Sequence, residues 1–126
     1  MNSIVHFEIP SKDKERFIKF YSAVFDWKMH DIPEMGYTMV YTTDVDEQYM
    51  PKQAGAINGG MVSFEDNGGL NPILVIDVPN LDEYIKKIEE AGGKIVRPKT
   101  KVGDMGWYVR FEDTEGVTMG IWQNIM

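Results

Sequence analysis

The sequence predicts an α+β fold built from two βαβββ modules of similar length. An alternating strand segment followed by an amphipathic helical segment occurs near the start of the chain and again after its midpoint. Corresponding landmarks repeat at a nearly constant distance. The "IP" and "VP" pairs that begin at Ile9 and Val78 are 69 residues apart, and the strand segments that begin at Tyr37 and Trp107 are 70 apart. Such a period indicates two copies of one unit, each with an apolar face that it cannot bury alone.

Module one begins with residues 4–9, which alternate as a half-buried strand that Pro10 is expected to end. Ser11 or Asp13 can cap the helix that follows. Three strands then follow, in the segments "DWKMHDI", "YTMVYTT" and "INGGMVSF". The apolar positions of the helix, which are expected to cover a sheet, are Phe17, Phe20, Tyr21 and Val24.

Module two repeats this order. The segment "PILVIDV" is a strand ended by Pro79, Asn80 is the expected helix cap, and "KIVRP", "GWYVRFED" and "VTMGIWQ" are three further strands. The apolar stripe of its helix is Leu81, Tyr84, Ile85 and Ile88. We expect a single domain over residues 1–126, with module one at about 1–66 and module two at about 70–126.

Composition and charge narrow the function classes. The 126 residues suit one globular domain, and the absence of cysteine excludes disulfides and thiolate chemistry. A net charge of −7 argues against nucleic acid as a partner, since an acidic chain repels phosphate backbones. Neither a signal peptide nor an apolar run of membrane-spanning length is evident, so we expect no membrane partner and a cytoplasmic location.

Five motifs together carry a family resemblance over nearly the whole chain. They are "HFEI" at 6–9, "RFIKFY" at 16–21, "FDWKM" at 25–29, "EEAGGKIV" at 89–96 and "GWYVRFEDTEGVTMGIWQ" at 106–123. In order and spacing they resemble the vicinal oxygen chelate superfamily, which includes glyoxalase I, bleomycin-resistance proteins and extradiol dioxygenases. The resemblance implies a curved eight-stranded mixed sheet around a cavity, and a homodimer.

The resemblance also implies where a metal would bind. In metal-using members, four ligands come from the first and last strands of the two modules, and His6 falls at the first of these positions. The other positions fall within Ile73–Val75, at Gly120 and in "INGGMVSF", where no side chain can replace a histidine or carboxylate. We therefore expect no cofactor and no metal site of the family type, with His6 as the one remaining metal candidate.

Polar residues on the predicted strands suggest other roles. His6 is either a hydrogen-bonded structural histidine or, beside Glu8 on the same strand face, a general base or a donor that orients a ligand. Both residues are thus the catalytic candidates. Arg110 lies on the opposite strand face from Trp107 and could clamp a carboxylate or pair with Glu8 or Asp77, or else face solvent or a dimer interface.

Tryptophan, tyrosine and methionine are numerous for a small sheet, which suits a pocket for a flat or apolar ligand. We interpret the chain as a protein that lacks most of the family metal ligands and binds a small organic molecule. Its role would be sequestration, sensing or metal-free chemistry. The alternatives are a metal-dependent lyase, isomerase or dioxygenase that uses His6, and a protein-interaction module. The ligand-pocket candidates are His6, Glu8, Trp27, Tyr37, Met61, Asp77, Trp107, Tyr108, Arg110 and Trp122.

Overall fold

The computed structural model describes residues 1–125 and contains eight strands and three α-helices within them. In chain order these are β1 (Ile4–Ser11), α1 (Lys14–Phe25), β2 (Lys28–Ile32), β3 (Tyr37–Tyr41), β4 (Gly59–Ser63), α2 (Phe64–Asn67), β5 (Ile73–Asp77), α3 (Leu81–Glu90), β6 (Lys94–Val102), β7 (Gly106–Glu112) and β8 (Thr118–Asn124). The strands form a mixed sheet that does not close, in the order β2-β3-β4-β1-β5-β8-β7-β6. The predicted α+β class with two βαβββ modules is confirmed.

The chain divides into two compact units. The first unit is His6–Pro72, and the second unit is Ile73–Met126 together with Met1–Val5. Met126, the last residue of predicted module two, lies outside the described residues. The module limits at about 66 and 70 stay a prediction.

In the first unit, α1 packs against one face of its strands. Phe17 from α1, Val40 from β3 and Met61 from β4 form the buried core, and Phe7 and Ile9 of β1 pack against it. β1 runs parallel to β4, and β3 is antiparallel to both β2 and β4. Because alternate residues of a strand point to opposite faces, this packing determines which residues of β1 face away from α1.

One strand end in module one differs from the prediction, and one open alternative is resolved. Pro10 does not end β1, which continues to Ser11 with Pro10 opposite Val62. Proline is compatible with a strand position that supplies no ladder donor. Asp13 alone caps α1, accepting a hydrogen bond from the Arg16 amide at 3.0 Å.

The outer part of the α1 stripe is exposed rather than covered. Phe20 and Val24 are 54% and 57% exposed, whereas Ile18 packs against the core beside Phe17 and Tyr21. The strip of α1 that touches the sheet is thus rotated towards Ile18, which leaves Phe20 and Val24 on the solvent side.

In the second unit, α3 covers a separate core. Val78, Leu81, Val109, Phe111 and Ile121 are buried there. The predicted helix stripe is confirmed, with its members packed against this core, and the Asn80 side chain caps α3 by accepting from the Glu83 amide at 3.0 Å. β5 is parallel to β8, and β7 is antiparallel to β6 and β8.

β6 is longer than predicted. The "KIVRP" strand was expected to end near Pro98, but β6 continues to Val102 and pairs with β7 across two register shifts, between Ile95 and Arg97 and between Arg97 and Thr100. β6 is the last strand in the sheet order, and an edge strand tolerates a proline and irregular pairing that a central strand does not.

Candidate functional site

His6 and Glu8 lie on the face of β1 that points away from α1. Phe7 and Ile9 pack beneath the helix, so their neighbours in the strand point to the other side. His6 is half-buried, and Glu8 is buried with 6% of its surface exposed. The sequence prediction that these two side chains share a strand face is consistent with this arrangement.

Tyr37 of β3 supplies the partner of His6. Its hydroxyl oxygen lies 2.6 Å from His6 Nε2, and the two rings are nearly parallel, with an interplanar angle of 19°. Gly60 of β4 makes this position possible, because a Cβ atom at Gly60 would overlap the Tyr37 hydroxyl. The Tyr37 ring therefore lies over Gly60 of β4, and its hydroxyl reaches His6 of β1, the next strand in the sheet.

The local environment favours an uncharged imidazole. Burial lowers the pKa of His6 below its usual value, and the negative charge of Glu8 opposes this effect only in part. In a neutral imidazole, one ring nitrogen donates and the other accepts. Either Tyr37 donates its proton to Nε2 while Nδ1 carries the ring hydrogen, or Nε2–H donates to the tyrosine oxygen.

The second unit contains a related arrangement. Tyr108 of β7 lies across Gly120 of β8, and Arg110 Nε donates a hydrogen bond to the Tyr108 hydroxyl at 2.9 Å. Arg110 is buried, with 4% of its surface exposed. Tyr37 and Tyr108 occupy corresponding positions in the two modules. Tyr37 lies two residues before Met39, which pairs with Gly60, and Tyr108 lies two residues before Arg110, which pairs with Gly120.

This correspondence corrects the predicted register between the modules by one residue. The sequence comparison aligned Tyr37 with Trp107, whereas the strand pairing aligns it with Tyr108. A shift of one residue moves a side chain to the other sheet face. Trp107 accordingly packs against the core beneath α3, where Lys99 Nζ lies 4.7 Å from its ring centre.

The ten predicted pocket residues divide between the two faces of each unit. In the first unit, His6, Glu8 and Tyr37 share the face away from α1, whereas Trp27 and Met61 belong to the core beneath α1. In the second unit, the face away from α3 carries the remaining candidates apart from Trp107, namely Asp77, Tyr108, Arg110 and Trp122. Their role in binding stays a prediction.

The donor set does not fit the metal site that the family resemblance implies. Within residues 1–125, no three histidine, cysteine or acidic side chains are grouped so that they could hold an ion. His6 Nε2 is already hydrogen-bonded to Tyr37, and the other histidine, His30, is exposed on β2, three strands from β1. Catalytic zinc requires about three protein ligands, so His6 with Glu8 is insufficient.

Sequence reasoning missed a cleft on the opposite face of the first unit. It has a volume of about 420 Å³ and lies on the α1 side of the sheet, beyond the ends of β1 and β4. Its walls come from three separate stretches of the chain, 11–14, 31–38 and 61–65, which no single motif could connect. The one available signal was a serine near the end of each of two strands, Ser11 and Ser63, which pair across β1 and β4.

Comparison with known proteins assigns the family. The chain belongs to the Glyoxalase/Bleomycin resistance protein/Dioxygenase superfamily, whose family model matches residues 3–121. This confirms the resemblance found in the sequence.

Among curated proteins, the chain is similar to "Putative glyoxylase CFP32" of Mycobacterium tuberculosis and of Mycobacterium bovis. Each is 26% identical over 120 residues, which covers 92% of this chain and 43% of the relative. The chain thus spans less than half the length of these relatives.

Solved structures show the same fold at low sequence identity. A hypothetical protein of Bacillus halodurans matches with a TM-score of 0.68 and 15% identity, over 98% of this chain and 94% of that one. A methylmalonyl-CoA epimerase of Streptomyces coelicolor in complex with 2-nitronate-propionyl-CoA has a TM-score of 0.66 and 16% identity, over 98% of this chain and 97% of that one. At this identity the likeness establishes the fold alone.

None of the helices within residues 1–125 combines the length and the apolar character that crossing a membrane would require.

Proposed function

We propose that this protein binds a small organic molecule on the sheet face that carries His6 and Tyr37, without a metal of the family type. The observation that carries the proposal is the 2.6 Å hydrogen bond between a half-buried His6 and Tyr37, next to the buried Glu8. Polar side chains held in a partly desolvated place can orient a ligand that apolar neighbours help to bind.

The chemistry available at this face suits recognition by hydrogen bonding. A neutral imidazole offers one donor and one acceptor, and a tyrosine hydroxyl offers one donor and two acceptor positions. After the hydrogen bond between them, the second ring nitrogen of His6, Nδ1, can act as a donor or an acceptor towards a ligand atom. Met39 and Tyr41 follow Tyr37 at two-residue steps in β3 and so share its face, where they add apolar and aromatic surface.

The alternative function is a metal-dependent lyase, isomerase or dioxygenase of the glyoxalase type that uses His6. The names of the mycobacterial relatives favour it. The number of donors near His6 argues against it, because two side chains on one strand do not hold a catalytic ion against water.

Ligand screening with two matched tyrosine variants tests the proposal. Small carboxylic acids, alcohols and phenols are titrated while tryptophan fluorescence is recorded, and each hit is then tested with Tyr37→Phe, His6→Gln and Tyr49→Phe. Tyr49 is 75% exposed on the connection between β3 and β4 and serves as the control. We expect Tyr37→Phe and His6→Gln to weaken binding by about tenfold, since each removes a partly buried hydrogen-bond partner.

Chelator distinguishes the two functions. The proposed binder keeps its ligand affinity after treatment with a chelator, and elemental mass spectrometry of protein purified without a tag finds no stoichiometric ion. A bound transition metal whose removal abolishes ligand binding, together with loss of that metal in His6→Gln, would favour the alternative. Equal effects of Tyr37→Phe and Tyr49→Phe would place binding elsewhere.

Two broader expectations accompany this function. The homodimer implied by the family resemblance and the cytoplasmic location are both proposals, and the first has a direct test given below. The proposal assigns binding, and no reaction, to this face.

A further inference from the structure

The cleft on the α1 side of the first unit is separate from the His6 face. In β1, Ser11 is in phase with Phe7 and Ile9, which pack beneath α1, whereas His6 is out of phase with them. The cleft and the His6–Tyr37 pair therefore lie on opposite faces of the same strands. The residues that line the cleft are Ser11, Lys12, Lys14, Asp31, Pro33, Gly36, Thr38, Met61, Ser63 and Glu65.

The inner part of the cleft is apolar. Thr38 and Met61 are 1% and 6% exposed, and Pro33 adds a ring at the side. The Thr38 hydroxyl is already used, since it donates to Asp31 Oδ1 at 3.1 Å. A volume of about 420 Å³ with such a floor suits a small molecule with an apolar body.

The rim carries two charges of each sign. Lys14 Nζ lies 2.8 Å from Asp31 Oδ2, and this contact lowers the pKa of Asp31, so its carboxylate stays ionised at neutral pH. Lys12 and Glu65 supply the second ammonium and the second carboxylate. The two carboxylates repel a small anion, and the two ammonium groups repel a small cation. This balanced lining therefore favours neither kind of simple ion.

Two hydroxyl donors stand side by side at the ends of parallel strands. Ser11 and Ser63 pair across β1 and β4, and each oxygen accepts a backbone hydrogen bond at 3.1 Å, from Asp13 and Asp66 respectively. Each hydroxyl proton remains to be donated, because a serine has one donor in addition to its acceptor positions. Together with the nearby lysines they form a place for a carboxylate.

We propose that this cleft binds a small zwitterion with an apolar body, of the α-amino acid class. Its carboxylate lies against Lys12 and the two serine hydroxyls, its ammonium group against Asp31 and Glu65, and its side chain on Thr38 and Met61. The inference is independent of the proposed function, because it uses none of the residues on the His6 face.

Three related probes test the charge requirement. L-Leucine has both charges, L-leucinamide has the ammonium group alone, and 4-methylpentanoate has the carboxylate alone. Each is titrated into the whole protein while backbone amide chemical shifts are recorded. We expect L-leucine to shift the amides of Ser11, Lys12, Thr38 and Ser63 saturably, and both single-charge analogues to bind about tenfold more weakly, because each lacks one charged hydrogen-bonding group.

A matched pair of lysine variants locates the site. Lys12→Gln removes a cleft charge, and Lys19→Gln removes an exposed charge of α1 outside the cleft. L-Leucine should bind Lys12→Gln about threefold more weakly and Lys19→Gln unchanged, as expected for a partly exposed ion pair. The proposal fails if L-leucine produces no saturable shifts, if the single-charge analogues bind equally well, or if the shifts centre on His6 and Tyr37.

Discussion

At the level of single residues, the most informative feature is the stacked pair of His6 and Tyr37. Its geometry depends on a residue without a side chain, since only glycine at position 60 leaves room for the tyrosine hydroxyl. The sequence placed Gly60 within the predicted strand "INGGMVSF" but did not identify the partner. That partner lies 23 residues earlier in the chain, and strand pairing alone brings it there.

The charge state of His6 gives a pH prediction. Burial holds the pKa of folded His6 below the value of 6.5 for an unperturbed histidine, so the unfolded chain takes up a proton first as the pH falls. His6 therefore destabilises the folded state progressively as the pH drops below 6.5 towards its lower folded pKa. Urea unfolding at about pH 8 and about pH 5 should show a larger loss of stability in the wild type than in His6→Gln.

The comparison between the two proteins is the decisive part of that experiment. Carboxylates such as Asp31 also lose stabilising interactions on acidification, but their pKa values lie lower and both proteins contain them. Equal pH dependence in the wild type and in His6→Gln would show that folded His6 titrates as it does in the unfolded chain.

A second residue-level prediction concerns Gly60. Gly60→Ala should lower the free energy of unfolding by about 1–3 kcal/mol, because the new methyl group overlaps the Tyr37 hydroxyl and the ring must move. Denaturant unfolding measures this cost. The His6 imidazole resonances should shift at the same time, since the hydrogen bond to Tyr37 is lost.

The control for Gly60 is the same change in a Tyr37→Ala background. Without the ring, alanine meets no obstacle from it, and alanine is a better strand residue than glycine. The cost of Gly60→Ala should therefore be much smaller in that background. An unchanged cost would mean that another contact, rather than Tyr37, excludes a side chain at this position.

At the level of elements, α3 was predicted more accurately than the strand ends. The cap and apolar stripe of α3 were both correct, because a capping side chain and a 3.6-residue period are local properties. The ends of β1 and β6 were wrong because each continues through or past a proline. Whether a strand tolerates a proline depends on its neighbours in the sheet, which local sequence does not reveal.

The start of α3 gives a stability prediction. Leu81 is fully buried, and its amide donates to Gln123 Oε1 at 2.7 Å. Leu81→Ala should lower the free energy of unfolding by about 2–5 kcal/mol through the cavity it leaves. Leu70→Ala, at a leucine that is 64% exposed, should change it by less than about 0.5 kcal/mol. Similar values for both variants would contradict the packing described for α3.

At the level of the whole molecule, the family was recognisable because its signal is distributed over the chain. The family model matches residues 3–121, and the order of short motifs had already indicated the same superfamily. The mycobacterial relatives contain more than twice the length that this chain covers. Their activity as whole proteins therefore does not transfer to this chain without experiment.

The oligomeric state is the prediction that belongs to this scale. Light scattering coupled to size-exclusion chromatography should give a mass twice the 14.4 kDa of one chain if the homodimer implied by the family forms. The mass should fall towards that of one chain on dilution if the association is weak. A mass of one chain at every concentration would reject the homodimer.

The sequence by itself determined the class of fold, the order of the strands and of the two long helices, the Asn80 cap of α3 and the family. These depend on periodicity, local capping and motif order, all of which are written along the chain. The partner of His6, the alignment of Tyr37 with Tyr108 and the cleft around Asp31 were decided by the tertiary structure alone. Each depends on the register between strands, and a change of one residue in register moves a side chain to the opposite face.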